Sequence, residues 1–356
     1  MRVIVSAGGT GGHIYPALSI INKIKEKDKD AEILYVGTTD RMEKDIIPKY
    51  NIPYHGIKIR GFDRKLSIDN FRTIKYFICA IKEMKKIIKE FKPDIVIGVG
   101  GYVTAPVVYA ASKLKVKTII HEQNSILGMT NKFLSKYVDA VAISFEDTKV
   151  DAKMVVYTGN PSSEEDKTLR FDKKEFGLSN DKKLVLIVMG SLGSKVVCDK
   201  MKDILPKFNG INYEVLFVTG NNYYDEFKTL KLSKNIKIVP FVNNLKRLFK
   251  KTDLMVTRAG ATTISEIISY KVPSILVPSP YVTDNHQYKN AKSLVDKEAA
   301  LLIEEKDLNE NLVDVVENTL NDKEIIKKMK SNLSMMSIND SASKMYDLIH
   351  KIVSGR

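Results

Sequence analysis

The stretch Arg2-Val3-Ile4-Val5-Ser6-Ala7-Gly8-Gly9-Thr10-Gly11-Gly12-His13 decides the fold. An apolar run over 2–6 enters a glycine turn over 8–13, and Pro16 then opens a helical pattern through Ile24. That order is strand, glycine turn, helix N-terminus. Glycines let the backbone take positive φ and come close to a ligand. The helix start behind them offers unpaired N–H groups to an anion or a polar ligand. His13 is the one side chain in the turn able to move a proton near neutral pH. Strand, loop and base together point to an enzyme.

Outward from this stretch the same order recurs. Short β-branched runs at 2–6, 32–36, 94–98, 117–121, 184–189, 214–218, 236–239, 253–257 and 274–277 read as buried strands. Helical patterns lie between them at 16–26, 67–91, 103–113, 263–270 and 285–297. Strands alternating with helices build parallel sheets from βαβ units, so the fold class is α/β. The halves echo each other. The first glycine loop has a counterpart in Gly190-Ser191-Leu192-Gly193-Ser194, and Gly98-Val99-Gly100-Gly101 has one in Arg258-Ala259-Gly260-Ala261. This predicts two Rossmann-like domains with ligand-facing loops at their strand ends. The junction Gly159-Asn160-Pro161, ahead of a polar run over 162–166, divides an N-terminal domain over 1–161 from a C-terminal domain over 162–340. The last helical segment, 341–356, could cross back onto the first domain.

A chain of 356 residues with 44% apolar content suits a soluble, two-domain globular protein. No run reaches the roughly 18–20 apolar residues that span a bilayer. Met1-Arg2 leads straight into a strand, so no signal peptide is expected. Two cysteines, Cys79 and Cys198, argue against a disulfide framework and for a reducing cytoplasm. No Cys or His cluster has zinc-ligand spacing, so no metal is expected. The 57 Lys and Arg against 43 Asp and Glu give a net charge of +14. That balance admits nucleic acid, an anionic membrane surface or phosphorylated substrates. No helix-turn-helix or RNA-binding signature supports nucleic acid.

The first loop is not a dinucleotide fingerprint, because counting from Gly9 and Gly11 the third glycine position holds Ile14. Nor does the P-loop pattern G-x-x-x-x-G-K-[ST] occur. Asp28-Lys29-Asp30 reads as D-x-D but sits in a charge run over 25–32, as a solvated turn does. The block 257–290 is more informative. Residues 257–266 start a helix, with Thr262 or Thr263 placed to cap it and Glu266 on its first turn, where a carboxylate suits the dipole. A carboxylate held there could instead accept both hydroxyls of a ribose. Residues 284–290, Asp-Asn-His-Gln-Tyr-Lys-Asn, are a run of hydrogen-bonding side chains that suits a polyhydroxylated ligand. His121-Glu122-Gln123-Asn124 follows the apolar run 116–120, at a strand end where open α/β sheets bind ligands. His121 itself reads as a hydrogen-bonded structural histidine.

The glycine loop 8–13, Gly100-Gly101-Tyr102, His121-Glu122-Gln123-Asn124, Gly159-Asn160-Pro161 and the segment 258–266 occur in one order over almost the whole chain. In this they resemble the MurG family, the undecaprenyldiphospho-muramoylpentapeptide β-N-acetylglucosaminyltransferases. The resemblance implies a GT-B architecture, two Rossmann-like domains facing a cleft. It implies inverting transfer of N-acetylglucosamine (GlcNAc) from UDP-GlcNAc to the 4-hydroxyl of lipid-linked muramoyl-pentapeptide (lipid I), giving lipid II for peptidoglycan. Carried over by position, Phe241 and Val242 flank the uracil and Glu266 binds the ribose. Ser191, with Gly190 and Gly193, meets the donor diphosphate, Gly260 lies in the donor site, and His286 and Gln287 contact GlcNAc. Thr10, Gly11, Gly12, Gly100, Gly101 and Tyr102 face the acceptor diphosphate, and Asn124, near the reacting sugars, joins the donor-binding residues. The family works peripherally at the cytoplasmic face of the cell membrane, without a cofactor.

Three positions depart from the family pattern. Ser162-Ser163 stand where an arginine is usual, Leu192 where Gln or Arg is usual, and His286 where the first of two glutamines is usual. Inverting transfer needs a base on the acceptor hydroxyl and relief of charge on departing UDP. His13 is the expected base, and the N–H groups of loop 190–194 and the helix behind it the expected relief. Segment 60–92 carries ten Lys and Arg against four acids, with Phe71, Ile74, Ile78 and Ile81 at helical spacing. That pattern fits a helix packed on the sheet or a lysine-ringed apolar surface docking on anionic lipid. The rival functions are another GT-B lipid glycosyltransferase, a non-hydrolysing UDP-GlcNAc 2-epimerase and a nucleotide-sugar-binding scaffold.

Overall fold

The computed structural model describes residues 1–61, 69–166, 168–190 and 193–355, with the side chains of 69–71 left aside. The chain divides into two compact units, Met1–Glu164 with Ile338–Arg356, and Glu165–Ser337.

The first unit holds a seven-stranded sheet among the described residues: β1 (Arg2–Ser6), β2 (Glu32–Thr38), β3 (Tyr54–Ile57), β4 (Ile95–Gly98), β5 (Lys117–Glu122), β6 (Ala140–Ile143) and β7 (Val155–Tyr157). All pairs are parallel, in the order β3-β2-β1-β4-β5-β6-β7. Helices α1 (Gly11–Lys27), α2 (Glu43–Ile46), α3 (Asp69–Phe91), α4 (Thr104–Lys113) and α5 (Met129–Leu134) belong to this unit. Both faces of the sheet are covered, which is why its central strands are apolar at every position rather than at alternate ones. Val3 and Val5 face Ile14, Ala17 and Ile21 of α1, while Ile4 and Val96 face Met84 and Val107 on the other side.

The second unit repeats the plan with β8 (Leu184–Val188), β9 (Glu214–Val218), β10 (Ile236–Val239), β11 (Leu254–Thr257), β12 (Ser274–Leu276) and β13 (Leu301–Leu302). These are also parallel, in the order β10-β9-β8-β11-β12-β13. Its helices are α6 (Lys195–Ile204), α7 (Lys246–Phe249), α8 (Ala261–Tyr270), α9 (His286–Val295), α10 (Leu308–Asn321) and α11 (Lys323–Met336). The final helix, α12 (Ser341–Ser354), rejoins the first unit, where Met345, Leu348, Ile349 and Ile352 enter the α1 core.

Both sheets share the strand order 3-2-1-4-5-6, which places a topological switch between the first and fourth strands. In the first unit the turns after β1 and β4 meet there. In the second the turns after β8 and β11 occupy the same place. The four glycine turns visible in the sequence thus lie at the two positions where open α/β sheets bind ligands.

Some elements differ from the sequence reading. Strands β3, β6, β7 and β13 were not expected. Strands β3 and β7 are edge strands whose side chains are mostly only partly buried, β13 has two residues, and Ala-Val-Ala-Ile in β6 carries the alanines of a helix. Helix α1 begins at Gly11, not behind Pro16, which lies inside it. Pro16 has no N–H for the Gly12 carbonyl, an omission tolerable so near the helix start. Helix α8 is capped by Gly260, extended at φ −67° and ψ 146°, rather than by a threonine. Glu266 therefore falls in its second turn, and the first-turn dipole reading of that residue does not hold.

Candidate active site

In the first unit the turns after β1 and β4 interlock. The Gly8 N–H donates to the Gly100 carbonyl at 3.2 Å. Gly100 takes φ +107°, and a Cβ there would stand 2.5 Å from His13 Cδ2 and 2.9 Å from Nε2. Gly101, at φ +85°, would drive a Cβ into the Gly8 carbonyl. Only glycine lets the second turn lie so close to the first. Thr10 is the extended N-cap of α1, so Gly11 and Gly12 are its first helical residues, with amides at the anion-attracting end.

His13 is the third residue of that helix. Its Nδ1 lies 3.0 Å from the Gly8 carbonyl and 3.3 Å from Thr10 Oγ1. A carbonyl oxygen only accepts, so the bond to Gly8 puts the hydrogen on Nδ1 and leaves the lone pair on Nε2. Tyr102, beside the second turn, accepts a hydrogen bond from Arg41 Nε at 3.3 Å.

Beneath the first turn lies a group the sequence reading passed over. Glu43, the first residue of α2, is fully buried. Its Oε2 accepts the Gly9 N–H at 3.1 Å, and its Oε1 accepts the N–H and hydroxyl of Thr38 at 3.0 and 2.8 Å. The Tyr54 hydroxyl donates to the Thr38 carbonyl, and that of Tyr35 donates to Ala7. The signal was available: Thr38-Thr39-Asp40-Arg41-Met42-Glu43 is a polar run at the C-terminal end of a buried strand.

At the end of β5, His121, Glu122 and Gln123 are buried. His121 Nε2 donates to the Gly159 carbonyl at 2.9 Å, while its Nδ1 accepts from Gln123. Burial lowers its pKa, so it stays neutral and structural, as read from the sequence. Glu122 accepts from the backbone and side-chain amides of Asn124, each at 3.0 Å, and from Gly128 and Asn131. Asn124 therefore sits in the first unit on a fixed carboxylate. Ser162, at the first departure from the family pattern, donates through its N–H and hydroxyl to Asn160 Oδ1 and closes the junction turn.

In the second unit, Ser191 and Leu192 lie outside the described residues. Around them Gly190 and Gly193 take φ +95° and +76°, and Ser194 is the N-cap of α6. Arg258, buried at the end of β11, donates to Ser194 Oγ at 2.9 Å, to the Val277 carbonyl at 3.2 Å and to the buried carboxylate of Glu305. Arg258 thus ties the start of α6 to the turns after β12 and β13. Phe241 is 55% exposed and Val242 is buried.

Glu266 lies on α8 behind its Gly260 cap, 3.6 Å from Lys246 Nζ. Burial pushes its carboxyl up to about 6, against the pull of that ammonium. His286 opens α9 with Nδ1 donating to the Thr283 carbonyl at 2.8 Å. Gln287 Oε1 accepts the Ser279 N–H at 2.9 Å. Asp284 and Asn285, just before, both take positive φ, in the left-handed region that Asp and Asn enter more readily than other non-glycine residues. Among the described residues no three His, Cys, Asp or Glu side chains gather to hold a metal ion.

Helix α3 presents two faces. Ala80, Met84 and Ile88 are buried against the sheet, whereas Ile74 and Ile78 are exposed. The expected Ile74-Ile78 stripe is therefore not the packed face, and the Phe71 side chain lies outside the described residues. Met129, Phe133 and Tyr137 are also exposed, and Phe133 meets Phe77 of α3 edge-on at 6.4 Å. Among the described residues no helix is long and apolar enough to cross a membrane.

Comparison with known proteins agrees with this architecture. The glycosyltransferase family 28 N-terminal domain matches residues 3–143 and its C-terminal domain residues 184–352. A UDP-N-acetylglucosamine–N-acetylmuramyl-(pentapeptide) pyrophosphoryl-undecaprenol N-acetylglucosamine transferase of Bacillus thuringiensis is 46% identical, over 99% of this chain and 100% of that one. The crystal structure of Acinetobacter baumannii MurG superposes with a TM-score of 0.81 at 26% identity, covering 98% and 99% of the two chains. A UDP-GlcNAc 2-epimerase from Neisseria meningitidis shares the fold alone, at TM-score 0.67 and 14% identity over 99% of this chain and 100% of that one. With two parallel Rossmann-like sheets in GT-B architecture and full-length identity of this order, the chain belongs to the MurG family within glycosyltransferase family 28.

Proposed function

We propose that this chain transfers GlcNAc from UDP-GlcNAc to the 4-hydroxyl of lipid I, producing lipid II and UDP, with His13 as the base. The observation that carries the base assignment is the bond from His13 Nδ1 to the Gly8 carbonyl, which leaves Nε2 to accept a proton. The acceptor oxygen attacks C1 of GlcNAc as its proton passes to Nε2. The bond from C1 to the diphosphate oxygen breaks, and its electron pair leaves with UDP. Attack opposite the leaving group inverts the anomeric centre.

The first unit is the acceptor side in this reading. Thr10, the Gly11 and Gly12 amides and the turn at Gly100, Gly101 and Tyr102 meet the acceptor diphosphate, with Asn124 near the sugars. The second unit holds the donor. Phe241 and Val242 flank uracil, and Glu266 takes the ribose hydroxyls. Gly190, Ser191, Gly193 and the α6 N-terminus meet the diphosphate, Gly260 lies in the donor site, and His286 and Gln287 reach GlcNAc. The exposed Ile74, Ile78, Met129 and Phe133, with the lysines of α3, dock on anionic lipid from the cytoplasmic side.

Labelled UDP-GlcNAc with and without a lipid I analogue tests the reaction. Acceptor-dependent transfer supports it. Acceptor-free formation of UDP-N-acetylmannosamine would instead identify an epimerase. For the membrane, binding to anionic vesicles should weaken with salt and in a Lys82→Glu, Lys85→Glu, Lys86→Glu variant. Binding unaffected by both rejects electrostatic docking.

A further inference from the structure

One peptide group, between Gly8 and Gly9, is hydrogen-bonded at both ends. Its carbonyl accepts from His13 Nδ1 at 3.0 Å, and its N–H donates to Glu43 Oε2 at 3.1 Å. We propose that Glu43 is a positioning residue for the transfer, acting on His13 through this peptide. The inference rests on the reading of His13 as the base.

The amide is conjugated, so an anion at its N–H shifts electron density toward its oxygen, and hydrogen bonds in series polarise one another. When the acceptor proton arrives at Nε2, the Gly8 oxygen faces an imidazolium N–H and holds it more strongly than the neutral ring. The proton stays on His13, and Glu43 only orients and polarises. In serine-protease triads a carboxylate does this by direct contact with the imidazole. Here a peptide stands between the two.

Space has been made for this carboxylate. A Cβ on Gly8 would stand 2.9 Å from Glu43 Cδ, and one on Gly37 would stand 2.7 Å from its Cγ. The arrangement also works against simple anion binding. It consumes the Gly9 N–H and puts a carboxyl group under a loop assigned to a diphosphate. A role toward the positive charge that develops on His13 accounts for both features.

The titratable groups around the pair are Tyr35 and Tyr54, both raised chiefly by burial and then by Glu43, and the Arg41 guanidinium. Asp40 and Asp45 act in turn on Tyr54. Of this set, His13 is the side chain whose ordinary range lies between pH 5 and 8.

The experiment uses the full chain as Glu43→Gln and His13→Asn, with UDP-GlcNAc and a lipid I analogue, from pH 5.5 to 9. Glutamine keeps the shape of the side chain and one of its two acceptor oxygens, and removes the charge. Glu43→Gln should lower kcat about tenfold, a part of the roughly 10²–10⁴ that a general base contributes. It should leave KM for UDP-GlcNAc within about twofold, since a group acting only in the transition state lowers kcat and not binding. The acid limb of the kcat profile should move to lower pH by about half to one unit, as loss of a nearby anion requires.

An inactive His13→Asn beside a Glu43→Gln with wild-type kcat and acid limb overturns the relay and leaves the base intact. An active His13→Asn overturns the base and the relay with it. Should Glu43→Gln fail to fold, ¹⁵N shifts of the wild-type histidines, with His13 assigned by difference, still decide. A neutral ring protonated on Nδ1 supports the relay, and one protonated on Nε2 overturns it.

Discussion

Replacing Gly100 with alanine should slow turnover by about 10² or more while leaving the protein folded. At φ +107° a non-glycine residue is strained, by about 1–3 kcal/mol. The new methyl would meet His13 Cδ2 at 2.5 Å, whereas non-bonded carbons settle at about 3.5–4.0 Å. The ring must therefore retreat by about 1 Å. The bond from Nδ1 to Gly8 is 3.0 Å long and does not survive that move in most directions. A displacement of about 1 Å costs about 10² in rate, and full loss of the base about 10²–10⁴. Stability should fall by about 1–3 kcal/mol, or about 2–12 °C in Tm for a unit of this size. That is less than the roughly 5–15 kcal/mol that holds a domain folded at 25 °C. Calorimetry and initial rates at 25 °C separate the two effects. Gly210→Ala is the control, because Gly210 also has positive φ but a Cβ there meets nothing within 4 Å. It should lose stability and keep its kcat. A Gly100→Ala enzyme with kcat within about threefold of wild type, well inside the range a base supplies, would refute the reasoning.

If Glu266 takes the ribose hydroxyls as proposed, donor binding depends on pH. With its carboxyl raised to about 6, UDP affinity should fall as pH drops through that value, by up to tenfold per unit. A flat calorimetric Kd between pH 5 and 7.5 sinks the ribose assignment. The same shift has an opposite sign for stability: the folded carboxyl holds a proton that the unfolded chain has released, so its contribution is lost as pH rises through 6. Glu266→Gln should thus stabilise the free protein at pH 7 by about 1–2 kcal/mol, and an unchanged or lower Tm contradicts that. His121 is shifted the other way, its pKa lowered chiefly by burial. Its neutral form contributes stability in full above about pH 6.5, and this is lost as pH falls through 6.5 toward the folded value, at up to about 1.4 kcal/mol per unit. His121→Gln should flatten that part of a stability–pH curve, and an identical slope rejects it. Breaking the buried Arg258–Glu305 pair by Glu305→Ala should cost about 3–5 kcal/mol, most of it regained in Arg258→Met, Glu305→Met. A double variant no more stable than the single one refutes that account.

Legibility in the sequence follows from how local each signal is. The central strands could be read because both their faces are buried, so a short stretch such as Val3-Ile4-Val5 carries the whole signal. The glycine turns could be read because positive φ and close approach leave few other residues possible at Gly100 and Gly101. Edge strands such as β7 were missed because half-exposed residues need no apolar pattern. Glu43 was missed for a different reason. Its partners, Gly9 and Thr38, come from separate strand ends, and only the parallel pairing of β1 with β2 brings them together. Lys246 reaches Glu266 across twenty residues in the same non-local way. The start of α1 was misplaced because Pro16 is a strong local signal for a helix start, overridden here by the extended Thr10 cap.

The two units share a strand order but put oppositely charged side chains beside their first loops, a difference that bears on the roles proposed for them. In the first unit the buried side chain bonded to the loop is a carboxylate, Glu43, on the Gly9 amide. In the second it is a guanidinium, Arg258, on the Ser194 hydroxyl at the start of α6. An anion beneath a loop weakens its hold on phosphate but favours a histidine that becomes cationic. A cation at a helix N-terminus adds to the dipole and favours a departing diphosphate, even when part of its charge is shared with Glu305. Base on the first unit and leaving group on the second is the assignment these fields favour. The reverse would set the carboxylate against the leaving phosphate and the guanidinium against the protonated base.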